Sequence, residues 1–250
     1  MATSLTGCGD GGGQQSGAES QQTPAQQEAG TDISAFTSGV QGSIRFAGTA
    51  PDRKRIKQDQ ECGVLHGDEA VLSEDVVVNA NGTLKYVFVY VKEGLGDRQF
   101  TPPAEPILFD QKGCMYAPHV FGVQTGQTVK ILNSDPLLHN IHALPEVNRP
   151  FNFGMPKQGD ERERKFDKAE VMVKIKCDVH PWMLAYCGVV SHPYYGVTGD
   201  DGSFSLKHLP PGQYVIEAWH EKYGTQTQTV TVGENEVKSI EFTFQEKSAS

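Results

Sequence analysis

Residues 177 to 183 read Cys-Asp-Val-His-Pro-Trp-Met. One short loop thus supplies a thiolate from Cys177, an imidazole from His180 and a thioether from Met183. A soft thiolate with imidazole and a weak thioether suits copper that cycles between two oxidation states. The approach to the loop aims the thiol. Val171, Val173 and Ile175 alternate with Met172, Lys174 and Lys176, the pattern of a half-buried strand running into Cys177. By parity Cys177 lies on the apolar face, with its sulfur toward the core. A second imidazole must come from elsewhere. His139 offers it, in the stretch Asn133-Ser134-Asp135-Pro136-Leu137-Leu138-His139-Asn140 that comes after the apolar run 128 to 132. Two neighbouring loops at one end of a sandwich would then enclose a metal away from water.

A lone Cys or Met in a strand is ordinarily core packing, and a lone His is ordinarily solvated or satisfied. Four such residues on two loops carry more weight than any one of them. Zinc is the rival metal, but thioether is a poor zinc ligand and structural zinc prefers more thiolates.

The elements that position these loops are short and extended. Residues 42 to 46 alternate as a strand. Residues 75 to 79 and 83 to 92 are two β-rich runs joined through Asn81-Gly82, a hairpin signal. Residues 118 to 123 and 128 to 132 read as another pair around Thr125-Gly126-Gln127. Beyond residue 188 come short strands at 195–198, 204–206, 213–219, 225–232 and 237–244, punctuated by Gly199-Asp200-Asp201-Gly202 and Leu209-Pro210-Pro211-Gly212. Helical periodicity is missing, so the expected fold class is all-β, as β-sandwiches.

The two ligand-bearing segments resemble the cupredoxin family of blue-copper proteins, closest to the amicyanin-type subgroup with its short Cys-x2-His-x2-Met loop. The resemblance covers roughly residues 75 to 190. It implies a Greek-key sandwich holding one type 1 copper. His139, Cys177 and His180 would form a near-trigonal set, Met183 a long axial ligand, and Asn140 a hydrogen-bonded tie between the two loops. It also implies single-electron transfer with a redox partner such as a c-type cytochrome or a membrane redox complex, the electron leaving by an exposed edge of His180 beside Pro181 and Trp182. Residues 196–204 and 209–214 are similar to the carboxypeptidase regulatory-like, transthyretin-like sandwich over roughly 189 to 246, a likeness nearly silent on function. Residues 42 to 48 look like the opening strand of such a module, which suggests that the copper fold is inserted into it. The expected division is a linker over 1–38, a copper domain over 39–188 and a C-terminal sandwich over 189–250.

Enzymatic chemistry is not expected. Lys176 and Asp178 flank Cys177, where copper oxidases and nitrite reductases relay electrons through a flanking His, and no His-x-His pairs occur. A copper-delivery module is the alternative of a different class; a structural or ligand-binding sandwich with a degenerate copper site is another.

Composition narrows the setting. Among 250 residues the net charge is −9, which argues against nucleic acid, whose phosphates need a concentrated basic surface. No run of about 18 apolar residues occurs to span a membrane. Residues 9 to about 38 are mostly Gly, Gln, Ser, Ala and Glu, a flexible tether. Leu5-Thr6-Gly7-Cys8 resembles a lipoprotein processing site, so Cys8 is the expected lipidation residue and the expected location is the periplasm or cell surface. In an exported chain, thiols outside the metal site tend to pair. Cys62 with Cys114 is the expected disulfide and Cys187 a buried thiol, although the sequence does not fix that connectivity. Cys62, His66 and His119 offer a less favoured second metal cluster. His142, three residues after His139, reads as a surface side chain, and His192, His208 and His220 as surface or inter-domain residues.

Overall fold

The structure is a computed structural model and describes residues 31–246. The Cys8 site and most of the tether lie outside the described residues. The order of elements is β1 (Gly39–Ala47), α1 (Gln60–Val64), β2 (Phe88–Glu93), β3 (Ile107–Lys112), β4 (Met115–Ala117), β5 (Val120–Gln124) and β6 (Val129–Asn133). It continues with β7 (His139–Leu144), β8 (Phe151–Met155), β9 (Glu161–Arg164), β10 (Glu170–Lys176) and β11 (Leu184–Val190). The chain closes with β12 (Tyr195–Val197), β13 (Ser203–Lys207), β14 (Gly212–His220), β15 (Gly224–Val232) and β16 (Val237–Gln245). Among the described residues the fold is all-β apart from one short helix.

These strands form four sheets, ordered β13-β1-β16, β12-β2-β14-β15, β5-β11-β10-β7-β8 and β4-β3-β6-β9. Alternation builds the packing between them. In β1 the apolar Val40, Ile44 and Phe46 face inward, and in β16 Phe242 and Phe244 do the same. They meet Val89 of β2 and Ile216 of β14 in one core. A second core joins the third and fourth sheets, with Ile141, Val173 and Ile175 opposite Phe109, Tyr116 and Ile131. Each such side chain removed from water stabilises the fold by roughly 1.5–3 kcal/mol. The molecule is therefore two sandwiches.

A smaller aromatic layer joins the sandwiches. Phe88 and Tyr90 of β2 pack against Val120 of β5 and Val190 of β11. Glycine permits the close approach: a Cβ on Gly188 would sit 2.4 Å from the Phe88 ring, and one on Gly122 would sit 2.4 Å from Tyr195.

Pairing departs from the sequence reading in two places. Residues 118–123 and 128–132 do not form a pair. β5 runs parallel to β11, while β6 runs parallel to β3 and antiparallel to β9, so the turn at Gly126 carries the chain from one sheet to the other. Residues 83 to 92 are not one strand, because Tyr86 takes a positive φ of 63° and the ladder begins only at Phe88. The Asn81-Gly82 turn survives as a local feature, with Asn79 N–H donating to Thr83 O at 2.8 Å. The opening strand, likened in the sequence to the first strand of the C-terminal module, does lie with it: β1 pairs with β13 and β16, and β2 pairs with β12 and β14. Strand pairing thus groups β1 and β2 with the last five strands, across the division drawn at residue 188.

Candidate metal centre

The first loop of the centre joins β6 to β7. Asn133 closes β6 fully buried, and its side chain shapes the loop. Its amide donates to the carbonyls of Leu137 and Met155, both at 2.9 Å, and its oxygen accepts the Asp135 N–H at 3.0 Å. Asp135 is thereby turned inward. Its carboxylate accepts the N–H groups of Gly113 at 2.7 Å and Cys114 at 2.8 Å, and engages His139 Nε2 at 2.8 Å. Burial alone would raise the Asp135 carboxyl, but these partners outweigh it and hold the group below the ordinary carboxylate range. With Nε2 occupied, His139 has only Nδ1 left to offer. Such carboxylate orientation of an imidazole is the usual support of a metal ligand. Asp135 was missed in the sequence; its place four residues before His139 was the available signal.

The second loop joins β10 to β11 and folds back on itself. Cys177 N–H donates to Met183 O at 3.2 Å, and Met183 N–H to His180 O at 2.9 Å. The His180 N–H donates to Cys177 Sγ at 3.3 Å, which points the sulfur back into the loop. Parity holds where it matters: Val173, Ile175 and Cys177 are all buried, although the register slips before Val173. Asn140 ties the two loops together. Its side-chain oxygen accepts the Asp178 N–H at 2.5 Å, its amide reaches Asn152, and its backbone carbonyl accepts the Tyr116 hydroxyl at 2.5 Å.

These supports bring three donor atoms together. His139 Nδ1 lies 3.0 Å from His180 Nδ1, and Cys177 Sγ lies 3.9 Å from the same His180 nitrogen. One atom from each of the three residues falls within 4.8 Å of the others. Met183 is fully buried in the core that contains Cys177. Electrostatics favour the ligand forms of Cys177 and His180. Burial would raise the Cys177 thiol, but hydrogen bonding with His139 and surrounding backbone N–H groups holds it below its ordinary value. Burial and the nearby His139 hold His180 low, toward the neutral imidazole. For His139, burial opposes the charge, but Asp135 and Cys177 outweigh it and raise the group. Metal binding at His139 must therefore displace a proton, whereas His180 and the Cys177 thiolate already favour their ligand forms; two imidazole nitrogens and a thiolate are a donor set that a soft transition metal fits.

The outer side of His180 differs from the sequence expectation of an exposed edge. Only 4% of His180 is accessible. The segment carrying α1 lies over it, and Asp59, which caps α1 by accepting the Cys62 N–H at 2.9 Å, brings Oδ2 to 3.6 Å from His180 Nε2. A disulfide between Cys62 and Cys114 fastens this cover. Cys114 is itself fixed, with its N–H on Asp135 and its carbonyl accepting Trp182 Nε1–H at 3.0 Å. The apolar side chains left in solvent beside the ligands are Leu138 and Val179, next to His139 and His180 in sequence.

The remaining candidates lie apart. His66 Nε2 contacts Gly113 O at 2.6 Å. His119 lies between Leu184 O at 2.9 Å and Glu221 at 2.5 Å, far in partnership from Cys62. His142 pairs with Asp178 at 2.9 Å on the surface. Of the three histidines read as surface or inter-domain residues, His208 is exposed, whereas His192 and His220 are buried, His192 against Tyr194 and His220 against Tyr223. Cys187 is a free thiol, fully buried.

Comparisons with known proteins complete the description. Residues 189–245 match the model of the carboxypeptidase regulatory-like domain. No curated protein matches the sequence. Among solved structures, part of the chain overlays the copper-containing nitrite reductase NirK from Thermus scotoductus SA-01, with 23% identity over 39% of this chain and 25% of that chain, at a TM-score of 0.31. A reduced Cu(I) form of amicyanin gives 24% identity over 36% of this chain and 91% of that chain, at 0.31. The purple cupredoxin from Nitrosopumilus maritimus gives 23% over 33% of this chain and 98% of that chain, at 0.28. Overlays of this extent leave the chemistry to be read from the residues themselves.

Proposed function

We propose that this chain is an exported single-electron carrier that holds one type 1 copper at His139, Cys177, His180 and Met183. One observation carries the reading: the two Nδ1 atoms, 3.0 Å apart, and the Cys177 sulfur face one buried point, while each outer imidazole nitrogen faces a carboxylate. The bound copper would supply a one-electron couple whose potential the axial thioether adjusts. Everything else belongs to the chain. Asp135 holds His139 in the tautomer that offers Nδ1. Asn140 and the Cys177–Met183 backbone bonds fix the loops in one geometry, so that little need reorganise between two oxidation states. The α1 cover and the apolar core keep water out. No catalytic step is assigned.

The electron's route differs from the sequence expectation. With the His180 edge covered, contact with a redox protein such as a c-type cytochrome would fall on the rim of Leu138, Val179 and Pro181, with the half-buried Trp182 ring 5.2 Å from the His180 ring. In this reading the copper fold is inserted into a carboxypeptidase regulatory-like sandwich that β1 and β2 complete. Cys8 would tether the whole to a membrane in the periplasm or at the cell surface.

A copper-delivery module would use the same ligands and release the metal. Repeated stopped-flow reduction and reoxidation under a chelator separates the two. A carrier bleaches and recovers its full colour over many cycles with copper retained. Loss of copper at the first reduction would overturn the carrier reading in favour of delivery.

A further inference from the structure

His180 has a second set of soft donors on its covered side. The sulfurs of Cys62 and Cys114 and a ring nitrogen of His180 lie within 4.8 Å of one another. All three residues are buried. In the structure the sulfurs are bonded to each other and hold the α1 cover closed. We infer that the reduced Cys62–Cys114 pair and His180 form a second site, for copper(I), which the disulfide switches off. The inference stands without any metal at the first centre, since it uses two other thiols and shares only His180 with it.

The chemistry balances with a dithiol as reductant. The Cys62–Cys114 bond takes up two electrons and two protons and becomes two thiols. The dithiol loses the same electrons and protons and closes to its own disulfide. Copper(I) then displaces the two thiol protons to solvent and gains two thiolates and one imidazole, ligands of the softness it selects.

The surroundings allow the sulfurs to part. Around one ion with three ligands the two thiolates must separate to roughly 4 Å, the spacing set by metal–sulfur bonds of about 2.3 Å at a trigonal angle. Cys114 stays in place, since Asp135 holds its N–H and Trp182 its carbonyl. Cys62 is the movable partner. It sits on a five-residue helix whose neighbouring residues tie it to the site through Asp59 beside His180 and through Gln58 and His66 on Gly113 O. Val64, at the end of that helix, is 75% exposed, so the cover has solvent on its far side and room to lift. Closing the disulfide removes both thiolates at once and leaves only the covered imidazole.

The test uses the full chain carrying Cys177→Ser, which removes the thiolate of the first centre. Protein made under reducing conditions, with its thiols counted, is compared with the air-oxidised form in copper(I) competition against a chromophoric chelator. The reduced form is expected to hold one equivalent at least about tenfold more tightly than the disulfide form, the scale on which a single group near a metal matters. Adding Cys62→Ser and Cys114→Ser should abolish that difference, and this variant keeps Cys8 and Cys187 as controls for stray thiols. His180→Gln in the reduced background should weaken binding by a similar factor. Ultraviolet thiolate-to-metal absorption provides a readout independent of redox activity. Equal copper(I) binding by the reduced and oxidised forms would overturn the inference. So would a gain that survives removal of Cys62 and Cys114. Neither result would bear on the blue centre, which is read in protein with Cys177 intact.

Discussion

At one end of the sandwich whose core holds Cys177, His139 and His180 turn ring nitrogens toward each other at 3.0 Å, with a cysteine sulfur beside them. Along the seam between the sandwiches, His119, His192 and His220 are buried as deeply, yet their nitrogens meet fixed protein partners. His119 lies between Leu184 O and Glu221, His192 contacts Val91 O at 2.8 Å and accepts the Tyr194 N–H, and His220 accepts the Lys222 N–H at 3.2 Å. Burial alone therefore does not mark a ligand. The two regions are separated by whether the protein itself completes the imidazole's bonds. At the seam it completes both nitrogens of His119 and His192 and the Nδ1 of His220; at the loop end carboxylates face only the outer nitrogens, and the inner ones converge with a thiol.

The sharpest way to break this comparison is to remove one thiol from each class. Cys177→Ser should abolish the intense blue absorption of the copper form altogether, whereas Cys187→Ser should leave it intact. Met183→Leu should keep the colour and raise the potential. A blue Cys177→Ser protein would erase the distinction.

The next largest effect lies at the seam. His119→Leu leaves Glu221 buried without its partner, and losing one member of a buried pair costs about 3–5 kcal/mol. Urea unfolding should register that loss while the copper spectrum stays unchanged. A spectrum altered as much as the stability would mean that the seam and the metal centre are one system.

Acid gives a somewhat smaller effect from the same region. Burial lowers both His192 and His220 to about 4. Their unfolded values are near 6.5, so as pH falls from about 6.5 to 4 the unfolded chain binds protons that the folded one refuses. Each can withdraw up to about 3 kcal/mol of stability over that window. His119 works in the opposite sense. Burial opposes its charge, but Glu221 and Glu74 outweigh this and raise it, so its contribution is present at low pH and fades as pH rises through its folded value. Urea midpoints of the metal-free protein should therefore fall between pH 6.5 and 4.5. Replacing His192 with Gln should flatten part of that slope; an unchanged slope would place the effect elsewhere.

Much of the loop end was legible in the sequence because its information is local. Cys177, His180 and Met183 lie within seven residues, and the alternation at Val173 and Ile175 aims the thiol by strand parity. Strands after residue 188 were equally plain, since turns such as Gly199 to Gly202 bound them. The features that escaped were set by distant partners. β5 and β6 are consecutive and look like a hairpin, but each finds its ladder in a different sheet. The pairing of β2 with β14 links residues far apart in the chain and depends on matching apolar faces, which no local window contains. The cover over His180 was hidden for the same reason. Its segment has no strong period of its own, and its place is fixed by a disulfide spanning 52 residues. Asp135 was visible, but its role depends on Gly113 and Cys114 arriving from another strand pair.

The most direct test of the central claim is the visible absorption and electron paramagnetic resonance spectrum of the full chain after one equivalent of Cu(II). The converging nitrogens and thiolate predict an intense blue thiolate-to-copper band with narrow parallel hyperfine splitting. A colourless protein, or one with an ordinary tetragonal copper signal, would mean that Cys177 does not bind the metal and would contradict the account.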